Sequence, residues 1–147
     1  MDPVPRFAAV LLLSVLAAAC APRDERSAPA DVAGPPADAI RTPSGLASKV
    51  LRVGLGQTHP RPQSMVTVHY TGWTTDGRMF DSSLTEGKPI TFQVTQVIPG
   101  WVEGLQLMRE GEKRRFWIPG ALGYDNDPRQ DVPKGMLVFD IELIRVR

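Results

Sequence analysis

Cysteine is almost missing from this chain. Cys20 is the single thiol in 147 residues, so no intramolecular disulfide can form and no thiolate cage for a metal can be built. Histidine is scarce as well. His59 and His69 lie in separate contexts, and zinc ordinarily takes three or four Cys, His or carboxylate ligands, so no metal site is expected. Nor is there an excess of charge. The 17 Lys and Arg nearly balance the 16 Asp and Glu, giving +1, whereas a chain that held phosphates by bulk charge would be distinctly basic; nucleic acid is excluded as a partner. No nucleophile stands with a base and an orienting partner, which disfavours hydrolytic triads. Gly54-Leu55-Gly56 lacks the third glycine of a dinucleotide loop and runs instead into His59-Pro60-Arg61-Pro62, a turn-rich loop. Finally, the apolar stretch 7–19 falls short of the ~20 residues that a bilayer-spanning helix needs.

That short stretch is informative in another way. Arg6 precedes it and small residues close it, the pattern of a secretory signal peptide over residues 1–19. Leu16-Ala17-Ala18-Ala19-Cys20 resembles a bacterial lipobox, with Ala17 standing where leucine is preferred. The resemblance implies a lipidated Cys20 as the mature N-terminus. Residues 20–44 carry Pro22, Pro29, Pro35, Pro36 and Pro43 among small and charged residues and cannot bury much apolar surface. They are expected to form a disordered tether. A single domain over 45–147 then remains, and the 42% hydrophobic content supports a compact core for it.

Within that domain the periodicities are short. Val66, Val68 and Tyr70 alternate with Thr67, His69 and Thr71, a strand that turns Tyr70 inward. Asp76-Gly77 is a hairpin turn, and Phe80 and Asp81 follow on the returning segment, with Ser82 and Ser83 as loop hydroxyls. Pro99 suits a first helical turn, and Trp101, Leu105 and Met108 fall on one face of a short helix that Gly111 can end. Residues 46–55 form a strand, as do 112–118, which split the Lys113-Arg114-Arg115 cluster between two faces. In the last strand Leu137, Phe139, Ile141 and Leu143 face inward. Four to five antiparallel strands and one helix, with no βαβ rhythm, make an α+β domain whose twisted sheet wraps the helix.

Five motifs in register now carry a resemblance: Val68-His69-Tyr70-Thr71-Gly72; Phe80-Asp81-Ser82-Ser83; residues 97–105, from Val97 through Ile98-Pro99-Gly100-Trp101 to Leu105; Ile118-Pro119 through Tyr124; and residues 137–143. Over roughly residues 45–147 the chain resembles the FKBP-type peptidyl-prolyl cis-trans isomerases, the macrolide-binding immunophilins. The resemblance implies a pocket walled by Tyr70, Phe80, Val97, Ile98, Tyr124 and Phe139, floored by Trp101, with Asp81 as its polar handle. Ile90 and Val132 are matched to rim positions. Asp81 and Tyr124 are the residues implied in catalysis. Two positions depart from the pattern: Ile90 stands where an aromatic is common, and Asp125 follows Tyr124 where glycine is usual.

The implied activity is isomerisation of X-Pro peptide bonds without metal or cofactor, assisting the folding of exported proteins. The alternative is a non-catalytic binding module or holdase that grips proline-containing segments in the same cup. Partners would be proline-containing polypeptides, with macrolides as family ligands and the membrane engaged through the lipid anchor alone. A monomer in the periplasm is expected. Ala21 after Cys20 mildly favours the outer membrane.

Overall fold

The computed structural model describes residues 22–147. The expected signal peptide and Cys20 lie outside the described residues. Two long alternating strands form the centre: β3 (Met65–Thr74) and β7 (Leu137–Val146), antiparallel from Val66 opposite Val146 to Thr74 opposite Leu137. Beyond β7 come β6 (Lys113–Ile118), β2 (Ala47–Arg52) and, outermost, β1 (Ile40–Arg41). The other edge of β3 is shared. Its C-terminal half pairs with β4 (Met79–Ser82) and its N-terminal half with β5 (Ile90–Gln93). Gly77, at φ 88°, makes the β3–β4 hairpin turn at Asp76-Gly77, which the sequence marks. The α+β class stands, but among the described residues the sheet has seven strands, two more than the upper figure of the four to five read from periodicity. The additions are β1 and β5, each too short to show a repeating pattern.

The inner face of the sheet holds α1 (Pro99–Leu107), whose Pro99 occupies the first turn where a missing N–H costs nothing. Trp101, Leu105 and the capping residue Met108 are buried against Val66, Val68, Phe116, Ile118, Phe139 and Ile141. Gly104 lets the helix sit this close. A Cβ there would lie 2.7 Å from the Phe116 ring, inside any normal contact. Gly111, at φ 86°, makes the turn after the helix and donates its N–H to Leu143 O at 2.7 Å, fastening the return into β6.

The outer face departs from expectation. Trp73, Val138, Trp117 and Ala47 lie in register straight across β3, β7, β6 and β2, making one apolar row opposite the helix. Each is at most 1% exposed. Ala28, Val32 and Ala39 cover the row. Residues 22–44 are therefore no free tether: they form a strap laid over the back of the sheet. Turns closed by Val32 N–H to Pro29 O and Ala39 N–H to Pro36 O fold the strap, and β1 ends it. Trp73 Nε1 donates to Arg26 O and Trp117 Nε1 to Asp31 O, each at 2.9 Å. Ion pairs Lys113–Glu25, Arg115–Asp31 and Lys49–Asp38 stitch its borders. The physical reason is that a preformed apolar row needs only a few small side chains to cover it, and proline lowers the entropy lost in ordering them.

The basic cluster is split as its phase requires. Arg114 turns inward to a buried pair with Glu112, while Lys113 and Arg115 turn outward to the strap. Arg115 also binds Asp140 through both carboxylate oxygens, at 2.6 and 2.8 Å.

Candidate active site

Where the helix meets the open end of the sheet, a cavity of about 570 Å³ remains. Its floor is aromatic because three edges converge there. Trp101 comes up from α1, Tyr70 from β3 and Phe139 from β7, and the Trp101 ring stands edge-on to both others at 5.1 and 5.2 Å between centroids. Phe80 on β4 adds a T-shaped contact with Phe139 at 5.4 Å. Such edge-to-face pairs fix ring orientation as well as filling space. Gly72 makes the approach possible, since a Cβ there would lie 2.6 Å from Phe139 and 2.8 Å from Phe80. Trp101 Nε1 is buried with no acceptor among the described residues.

Asp81, the acid beside the aromatic floor, is fastened. Asp81 Oδ2 accepts the Tyr70 hydroxyl at 2.6 Å. Burial, then the hydrogen bond and charge of Asp81, push the Tyr70 hydroxyl pKa well up, so this proton stays on the phenol. Ser82 and Ser83, expected as loop hydroxyls, are in fact buried fasteners of this corner. Ser83 Oγ accepts Tyr70 N–H at 2.9 Å and bonds His69 Nδ1 at 2.9 Å, while Ser82 Oγ bonds the Thr71 hydroxyl at 2.9 Å. They hold the end of β4, and Asp81 with it, against β3.

The opposite wall comes from the helix entry and from the loop after β6. Val97, Ile98 and Pro99 line it on one side, Ala121, Gly123 and Tyr124 on the other. Ile98 precedes the helix and donates no hydrogen bond among the described residues, although its carbonyl accepts Trp101 N–H at 2.9 Å. Tyr124 is half-buried. Burial first and Asp81 second raise its hydroxyl pKa, so it too remains a donor. The cavity gathers Tyr70, Phe80, Asp81, Ile90, Val97, Ile98, Trp101, Tyr124 and Phe139.

Val132 is a correction. It is half-buried in the loop before β7 but is not among the lining residues. The rim there is polar instead, made by Asn126, Asp127 and Arg129, with Gln96 across the mouth. The Asp127 carboxylate, held by the Arg129 side chain at 2.8 Å and by its backbone N–H at 2.9 Å, has its pKa lowered to about 2. Nothing in the sequence pattern marks these rim residues, because a loop without periodicity gives no phase from which to read which side chains turn inward.

The sequence model of the FKBP-type peptidyl-prolyl cis-trans isomerase family matches residues 56–144. The chain is 46% identical over 106 residues to an FKBP-type peptidyl-prolyl cis-trans isomerase FkpA of Aeromonas hydrophila, covering 71% of this chain and 39% of that protein. It is also 46% identical over 109 residues to the outer membrane protein MIP of Legionella longbeachae, covering 71% of this chain and 46% of that one. The crystal structure of FkpA from Escherichia coli superposes with a TM-score of 0.70 at 36% identity, covering 76% of this chain and 53% of that one. The chain thus spans less than half the length of these two sequence relatives.

Proposed function

We propose that this chain, which belongs to the FKBP-type peptidyl-prolyl cis-trans isomerase family, accelerates rotation about X-Pro bonds in proline-containing polypeptides. The observation that carries this is the aromatic cup itself, an apolar floor with Asp81 fastened beside it and the Ile98 N–H and Tyr124 hydroxyl at its walls. An uncatalysed X-Pro bond turns over in tens to hundreds of seconds because amide resonance must be broken, at ~18–20 kcal/mol. The twisted amide has lost that resonance and most of its charge separation. An aromatic cavity that strips water from the proline amide therefore stabilises the twisted form relative to the planar one, and each ~1.4 kcal/mol of such preference is tenfold in rate. No bond forms to the protein. The proline ring would rest on Trp101, with the Ile98 N–H and the Tyr124 hydroxyl orienting the carbonyls beside it. Asp81 would hold Tyr70 and set the local field. Every cavity residue invoked here comes from the one chain, and we infer that it acts as a monomer.

The test is a protease-coupled assay on a proline peptide. The folded chain is expected to accelerate cis-to-trans conversion. Asp81→Ala, which also releases the Tyr70 hydroxyl, should lower kcat/KM roughly tenfold, about 1.4 kcal/mol, with an unchanged circular dichroism spectrum. Binding of the peptide without acceleration would instead make the cup a holdase site.

We also infer export, with Cys20 acylated as the mature N-terminus and an outer-membrane location. Support comes from the leader pattern and from the likeness to a relative named as an outer membrane protein. The strap changes what such an anchor would do. Glu25 is already paired with Lys113 on the sheet, so five residues at no more than ~3.5 Å each leave at most about 17 Å between lipid and domain. The isomerase would stand against the bilayer rather than swing on a long leash. Mass spectrometry of the natively expressed, fractionated protein should find a diacylated Cys20 in the membrane fraction; a soluble chain cleaved elsewhere would remove the anchor.

A further inference from the structure

The outer wall of the cup depends on Tyr124, and Tyr124 begins a stretch of irregular chain that runs to the start of β7 at Leu137. A loop of this composition, with Asp125, Asp127, Arg129 and Asp131 within seven residues, would ordinarily keep its charges in water and leave the tyrosine mobile. Two side chains prevent that. Lys134, exposed and free to be solvated, instead turns back across the loop and donates its ammonium to Tyr124 O at 2.8 Å and to Asp127 O at 2.6 Å. Asp125 does the reverse, accepting Gly135 N–H on Oδ1 at 2.7 Å. Its own N–H donates to Gly120 O at 3.1 Å, and its carboxylate packs over Gly120 in the space a Cβ would occupy. Tyr124-Asp125 and Lys134-Gly135 are thus joined by charge-assisted hydrogen bonds running in both directions, which are stronger than neutral ones.

We propose that Lys134 and Asp125 are positioning residues for Tyr124: they clamp the two ends of the loop so that the tyrosine hydroxyl stays over the cavity when no substrate is bound. This rests on the isomerase reading above. It also gives a physical use to Asp125. A side chain at this place is useful only where the segment beneath, here Gly120, has no Cβ to meet it, and only where a backbone N–H, here that of Gly135, comes within reach.

Lys134→Met keeps the aliphatic stem and removes both bonds from the ammonium. It is expected to lower kcat/KM about fivefold in the protease-coupled assay, because misplacing an orienting group costs rate without costing fold, and to leave the melting temperature unchanged. Asp125→Asn should show the same direction with a smaller loss. The distinguishing measurement is a double-mutant cycle. In a Tyr124→Phe background, which lacks the hydroxyl being positioned, Lys134→Met should cost little further, and amide exchange across 124–135 should be faster with Lys134→Met in either background. A Lys134→Met protein as active as wild type, or one that loses the same factor in both backgrounds, would overturn the assignment. A wild-type chain that accelerates nothing would overturn the isomerase reading itself and take the assignment with it, an outcome seen before any variant is compared.

Discussion

A chain shortened to begin at Thr42 is expected to lose much of its stability while keeping its cup. Removing the strap uncovers Trp73, Trp117 and Val138, each now at most 1% exposed, and frees two indole N–H groups from Arg26 O and Asp31 O. Each of those bonds contributes ~1 kcal/mol net. Exposing on the order of 100–200 Å² of apolar surface costs ~2.5–5 kcal/mol at 25 cal/mol per Å². Against this stands the conformational entropy that the strap recovers when it is gone, which Pro22, Pro29, Pro35 and Pro36 lower by roughly 0.4–1 kcal/mol each. The net loss should be about 2–4 kcal/mol, a fall in Tm of roughly 10 °C or more for a domain of this size. Trp73 and Trp117 emission should shift to the red, whereas Trp101, on the other face, keeps its surroundings. Val32→Asp, which puts a charge against the row that Val32 covers, should reproduce most of the effect in the full-length chain. Equal melting temperatures for full and shortened chains would reduce the strap to an incidental contact.

The strap also shows where the sequence is legible and where it is not. Inward phases read correctly because they repeat: Val66, Val68 and Tyr70 in β3, and Leu137, Phe139, Ile141 and Leu143 in β7, lie on the helix side as their alternation requires. The outward phase of β3, β6 and β7 carried a signal too. Trp73 is out of step with Tyr70, Trp117 with Phe116 and Ile118, and Val138 with Leu137 and Phe139, so the outer face has large apolar residues where a half-solvated sheet would be polar. An apolar row on the back of a sheet implies a cover, and residues 28–39 supply one with two alanines and a valine. Composition points to disorder because it weighs the strap alone, whereas its stability comes from a surface built by other residues. The site divides in the same way. Residues on strands and helix fall where their motifs put them, while the rim between Asn126 and Arg129 depends on loop hydrogen bonds that no pattern announces.

The floor of the cup should separate two effects that a single substitution mixes. Trp101→Ala is expected to cost about 3–5 kcal/mol of stability, the usual range for removing a large buried aromatic, because the ring packs edge-on against Tyr70 and Phe139 and tilted against Phe92. The same change would deepen the cavity and admit water to the surface on which the proline ring rests, so turnover should fall with stability. Trp101→Phe keeps an aromatic face and gives up Nε1, a buried donor with no acceptor among the described residues. An unsatisfied buried group costs ~1–3 kcal/mol, so its removal offsets part of the area lost, and this variant should melt near wild type. Its activity then reports on the floor alone. If catalysis depends on a dry, flat aromatic surface, Trp101→Phe should retain most of kcat/KM while Trp101→Ala loses one to two orders of magnitude, roughly 1.4–3 kcal/mol in the transition state. Should the alanine variant, assayed below its own melting transition, turn over at the wild-type rate, the dry-floor account of catalysis fails. Rate enhancement would then have to come from Tyr124, Ile98 and Asp81 at the walls.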